Sequence, residues 1–207
     1  MEDVLEVYQR QKDTDYPLVC LDETTKELHG HTREPMPTDL GQVERIDSEY
    51  TRNGVGTLFM LNAPLLGWRE VIVTERKTRQ DYARALLKLS DTYFPKAKKI
   101  ILVQDNLNTH SPTSLYETFP AKEARRLAER FEMHYTPKHG SWLNMAEIEL
   151  NVLASQCLSR RIADIEKLRL HTQAWVRLRN KQNATIRWQF NTDDARIKLE
   201  HLYPKFA

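Results

Sequence analysis

The sequence predicts a mixed α/β sheet of five strands flanked by helices, followed by a C-terminal helical extension. Three observations carry that expectation. Short apolar runs of strand length come first as a group, at 17–23, 56–64 and 69–77. Two more, at 99–105 and 131–137, then alternate with segments of helical spacing, the pattern that lays helices on the faces of a partly parallel sheet. The chain has 207 residues and 40% hydrophobic content, enough to bury a core as one domain.

Taken in order, residues 4–11 read as a short helix, and "KDTDYP" is a turn-rich entry. "PLVCLDE" (17–23) is short, apolar and bounded by Pro and charges, as a buried strand should be. Residues 24–56, with Pro35, Pro37, Gly41, Gly54 and Gly56, read as a loop excursion holding at most short strands. "GTLFMLNAP" and "REVIVTERK" are strands joined by the short "LLGW" connection, a hairpin pattern. Thr78 caps a helix with Tyr82, Leu86, Leu89 and Tyr93 at helical spacing. Strand 99–105 follows, then a helix at 121–130 and a strand at 131–137. Helices at about 143–160 and 164–180 and a short final helix complete the chain, which divides into a lead-in (1–15), a core (16–160) and the extension (161–207).

The charge balance is nearly even, 31 basic against 29 acidic residues, so bulk charge does not announce a nucleic-acid partner. Local clusters such as Arg76-Lys77, Arg125-Arg126 and Arg160-Arg161 are commonly solvated faces and bind phosphate only where they converge. Cys20 and Cys157 stand far apart without a CxxC partner, so neither a disulfide framework nor a zinc site is suggested. His29 and His31 form an HxH pair with no third ligand in view. No signal peptide or membrane-length apolar stretch is apparent, and a reducing cytoplasm fits.

Chemistry concentrates where strands end. Asp22 follows the apolar run Leu18-Val19-Cys20-Leu21, and Asp105 follows Ile100-Ile101-Leu102-Val103-Gln104. A carboxylate beside such a run must be hydrated, paired or metal-bound. One such Asp is commonly a turn former or a cap. Two on neighbouring strands, at the sheet edge where α/β ligands sit, raise the case for a hard cation such as Mg²⁺. In "GSWLNMAEIELNVLASQCL" two glutamates compete for a third ligand. Glu147 shares a helix face with Leu143, Leu150, Ala154 and Leu158, and so points along an apolar face. Glu149 shares one with Met145, Val152, Gln156 and Arg160, which predicts a water-facing ion pair.

"VCLDE", "ILVQDNLNTH" and "TPKHGSWLNMAEIEL" resemble the three catalytic blocks of DDE transposases, in the bacterial insertion-sequence branch of the mariner-like superfamily. "RNGVGTLFM", "AWVRLRN" and "DARIKLEHLYP" extend the likeness along nearly the whole chain. The resemblance implies a ribonuclease H-like fold and Asp22, Asp105 and Glu147 as a catalytic, metal-binding triad. It implies two Mg²⁺ ions per site, with Mn²⁺ able to substitute, and cleavage and strand transfer at transposon ends into TA targets. It also implies DNA as partner and a homo-oligomer in the active complex. Asn106, Asn108, His110, Lys138, His139, Trp142 and Asn144 are the expected supporting or DNA-contacting residues; turn formation competes for the asparagines and the core for Trp142. Met145 stands where such enzymes often carry Pro. The segment before Tyr16 is too short for the family's helix-turn-helix module, so the expectation is a catalytic fragment or a separate reading frame.

Overall fold

Backbone pairing explains why the strands fall where they do. The computed structural model describes residues 1–33 and 47–203. Strands β1 (Leu18–His31), β2 (Tyr50–Ala63) and β3 (Trp68–Thr74) form the opening antiparallel meander, with β4 (Ile100–Gln104) and β5 (Phe131–Tyr135) added in parallel. The sheet order is β3-β2-β1-β4-β5. The turn between β2 and β3 passes through Gly67 at φ 63°, where the left-handed backbone favours a residue without Cβ.

Alternation along the strands divides the core into two layers. Leu18, Cys20, Leu58, Met60, Val71, Val73, Ile101 and Val103 face one way. They are covered by α1 (Glu2–Tyr8), α5 (Ala146–Leu153) and α6 (Ile165–Lys181), with α7 (Thr192–Lys198) beside α1. Val19, Leu21, Phe59, Leu61, Ile100 and Leu102 face the other way, against α2 (Arg79–Lys88), α3 (Thr113–Thr118) and α4 (Ala121–Glu129). Thr78 caps α2 as a full capping box with Asp81. π turns continue α2 through Leu89–Tyr93 and α5 through Ala154–Leu158.

Two expectations need correction. Of the described residues in the loop expected over 24–56, most are strand, because β1 runs on to His31 and β2 begins at Tyr50, paired from Lys26↔Gly56 to His31↔Tyr50. Apart from Leu28, which packs in the core, this two-stranded extension is mostly exposed or half-buried, so it lacks the apolar alternation that marks a strand in sequence. Pro35, Pro37 and Gly41 lie outside the described residues. Helix α3 was not expected: its six residues begin inside a Ser-Pro-Thr-Ser run that reads as a turn.

Candidate active site

The register of β1 against β4 sets the site. Cys20 pairs with Val103, so Asp22 and Asp105 each lie two residues beyond a matched pair. Strand periodicity sends Leu18, Cys20 and then Asp22 to the face covered by α5. Asp22 is held there by the Glu23 N–H, which donates to Oδ1 at 2.8 Å, and by Asn144 Nδ2 at 3.3 Å from Oδ2.

Asn144, 1% exposed, fastens the third block to the first. Its Nδ2 donates to the Leu21 carbonyl (2.8 Å), while its Oδ1 accepts the Ala146 N–H (3.1 Å) at the start of α5. Tyr8 of α1 supports the same turn, its hydroxyl donating to the Leu143 carbonyl at 2.6 Å. The helix so launched presents Glu147, Leu150, Ala154 and Leu158 to a cleft of about 330 Å³, whose opposite wall is Asp22, Glu23, Thr24, Thr25 and Lys26. Glu147 and Asp22 thus share one cavity.

Asp105 lines a second cleft of about 370 Å³ with Asn106, Leu107, Thr136, Pro137, Lys138, His139 and Ser141. His139 adopts φ 64° in that wall. Asn108 is exposed and lines neither cleft, and Trp142 also stands outside both. Trp142 is 46% exposed and packs on Trp188 and Phe190, with ring centroids 6.5 and 5.9 Å away.

Electrostatics joins the three carboxylates. Burial pushes Asp22 up to about 7, and the negative charges of Glu147, Asp105 and Glu23 push it further the same way, against the backbone hydrogen bond from Glu23. Among the described residues neither Asp22 nor Glu147 has an ion-pair partner. Asp22 and Glu147 share a cleft without an ion pair among the described residues, and Asp105 lies within electrostatic reach of Asp22; carboxylates so placed are oxygen donors that a hard divalent ion takes, so these residues fit a metal.

His110 does not contact solvent. Its side chain is 0% exposed, with Nε2 3.0 Å from Glu23 and Nδ1 against the Asp105 carboxylate. Burial opposes its charge, but the hydrogen bonds to Asp105 and Glu23 outweigh that and raise it to about 9. Lys77 Nζ reaches the same Glu23 oxygen at 2.6 Å. Glu23, Asp105 and His110 present ligand atoms within 4.8 Å of one another. Nε2 is bonded to the Glu23 carboxylate, Nδ1 meets the Asp105 main-chain carbonyl at 3.3 Å beside its carboxylate, and Lys77 adds a cation, so that group is balanced from within.

Glu23 and Lys77 escaped sequence reasoning. Adjacent strand residues face opposite sides, so Glu23 lies behind Asp22 in the other layer, where a buried carboxylate requires a cation. Glu149 is a correction. It is 0% exposed rather than water-facing, held by Arg69 Nε (3.3 Å) and Arg179 Nη2 (3.0 Å). Arg69 alternates inward with Val71 and Val73 on β3, and α6 brings Arg179 over it; neither element can be located from the helix phase of α5. Several of the clustered or neighbouring bases are paired within the chain. Arg79 meets Glu117, Arg125 meets Glu129, and Arg126 meets Asp91 and Glu123. His29 of the HxH pair meets Glu27 at 3.1 Å and packs on Tyr50. No helix among the described residues is long and apolar enough to cross a membrane.

Three comparisons complete the description. A search of curated protein sequences found no match. Among solved structures the chain is similar to the Mos1 mariner paired-end complex with Mn (TM-score 0.55, 17% identity, covering 87% of this chain and 55% of that one). It is also similar to the Mos1 transposase paired-end complex with the left transposon end (TM-score 0.57, 14% identity, 88% and 56%). The Mos1 strand transfer complex gives TM-score 0.55 at 17% identity, covering 84% and 50%. These likenesses show a shared fold, the ribonuclease H-like one, and the chain spans about half the length of the structures it matches. Residues 17–169 match the family model described as DDE superfamily endonuclease, a span that contains both clefts and all three carboxylates: the chain belongs to the DDE superfamily endonucleases.

Proposed function

We propose that this chain is the catalytic domain of a transposase, which cuts DNA at transposon ends in a metal-dependent reaction and joins the released end to target DNA, at TA dinucleotides. The observation that carries the reading is that Asp22 and Glu147 line one cleft without an ion pair among the described residues, within electrostatic reach of Asp105. In this reading Asp22 and Asp105 bind the ions and Glu147 completes the site, while Asn144 holds Asp22 and the third block together. Two divalent ions, Mg²⁺ or Mn²⁺, supply an activated oxygen nucleophile and a stabilised leaving oxygen. The chain itself fixes the carboxylates and receives the phosphodiester between the clefts. Lys138, His139 and Asn106, exposed on the Asp105 cleft, are placed to meet DNA, and Trp142 offers an exposed ring beyond it.

The DNA partner and the strand-transfer step extend to this chain what the Mos1 structures are described as, a paired-end complex with a transposon end and a strand transfer complex; a homo-oligomer in the active complex is part of the same proposal. The buried free thiols of Cys20 and Cys157 accord with a reducing cytoplasm. The proposed domain division is a lead-in, a ribonuclease H-like core and a C-terminal helical extension. The test is incubation with supercoiled plasmid and Mg²⁺, then with a pre-cut transposon end and target. Nicking and joining are expected from the wild type and neither from Asp105→Asn of unchanged circular dichroism. Cleavage without joining would reduce the reading to a nuclease, and a fully active Asp105→Asn would remove Asp105 from the site.

A further inference from the structure

We propose that His110 is a positioning residue for Asp105, a buried imidazole that ties this carboxylate to Glu23 and fixes its orientation before a cation binds. The inference rests on the metal-site reading of Asp105. Strand β4 ends at Gln104, and residues 106–108 are exposed, so sheet pairing stops just before Asp105. What orders it lies behind it.

The imidazole is held on every side. Nε2 meets Glu23 Oε1 at 3.0 Å, and that oxygen also receives Lys77 Nζ at 2.6 Å. Glu23 is itself 1% exposed, and its second oxygen has no hydrogen-bond partner, so its place is set by His110 and Lys77. The Tyr82 ring stacks on the imidazole, with centroids 4.8 Å apart and planes at 29°. The Tyr82 hydroxyl donates to Gln104 Oε1 (2.9 Å), and Gln104 Nε2 donates to the His110 carbonyl (3.2 Å). The ring face, ring edge and backbone are therefore all fixed, and the remaining nitrogen Nδ1 meets the Asp105 backbone carbonyl at 3.3 Å and lies in ion-pair contact with the carboxylate Oδ1. A side chain 0% exposed cannot touch DNA, which leaves orientation of Asp105 as its contribution. Partners of this kind behind a metal ligand commonly change metal affinity 10- to 100-fold when removed.

The test is Mn²⁺ binding to the intact chain without DNA, read from the electron paramagnetic resonance of free Mn²⁺ alongside the thermal midpoint. His110→Ala should weaken Mn²⁺ binding roughly 10- to 100-fold, and Glu23→Gln should weaken it in the same direction. His134 is the matched control, since it too lies between two carboxylates, Asp3 at 2.8 Å and Glu132 at 2.9 Å, and lines neither cleft. His134→Ala should lower the thermal midpoint and leave Mn²⁺ affinity unchanged. If His110→Ala does not fold, Glu23→Gln and Lys77→Met, at a position 36% exposed, carry the test. Wild-type affinity in the folded His110 and Glu23 variants would overturn the proposal, as would an equal loss in His134→Ala. Mn²⁺ binding that survives Asp105→Asn would instead overturn the metal-site reading on which the proposal rests.

Discussion

Asp22 joins the sequence to the chemistry through its proton. Its folded value near 7 lies above the ordinary carboxylate range. The folded chain therefore binds more protons than the unfolded one between about pH 4 and pH 7, and stability falls as pH rises through that window. The cost is absent below the unfolded value and complete above about 7. Asp22→Asn should accordingly melt higher than the wild type at pH 8 in EDTA and show no such advantage at pH 4. Adding Mg²⁺ should raise the wild-type midpoint more at pH 8 than at pH 5 and leave the variant unmoved. A variant no more stable than wild type at pH 8 would show that the cleft imposes no charge strain on Asp22. At this scale the sequence was legible for polar residues that interrupt an apolar run. It was opaque for Glu23, whose partners Lys77 and His110 lie 54 and 87 residues away in the chain.

At the scale of elements, α5 shows how two glutamates one turn-fraction apart come to opposite fates. Glu147 faces the cleft, while Glu149 is buried between β3 and α6 and clamped by Arg69 and Arg179. Removing one partner of a buried ion pair leaves the others' charge uncompensated and typically costs about 3–5 kcal/mol. Glu149→Gln should lose stability of that order in urea unfolding, whereas Glu147→Gln should lose none and forfeit metal-dependent cleavage instead. Similar stability in the two variants would contradict the assignment of the two faces. The apolar face of α5 was readable from spacing because it packs on the sheet. The burial of Glu149 was not, because it depends on an Arg from β3 and an Arg from α6. The extension of β1 and β2 past the core was hidden for a related reason: two strands that pair only with each other need no apolar alternation to hold their ladder.

For the whole molecule, a meander with two parallel strands added beside β1 brings the ends of β1 and β4 together, and α5 crosses above them. That topology gathers carboxylates separated by 83 and 42 residues in sequence into one electrostatic neighbourhood. The five strands and the alternating order were legible because both layers of the sheet are covered, so each strand is apolar enough to stand out. The ion pairs that hold some of the clustered bases within the chain were not, since they join residues on separate elements or depend on side-chain direction. The central claim is that Asp22, Asp105 and Glu147 together hold divalent metal. Its most direct test is anomalous scattering from crystals of the chain soaked in Mn²⁺. The account predicts Mn²⁺ peaks ligated by Asp22 and Asp105 and by Glu147, with His110 still bridging Asp105 to Glu23. Peaks confined to Glu23 and His110, or none near Asp22 at saturating Mn²⁺, would contradict it.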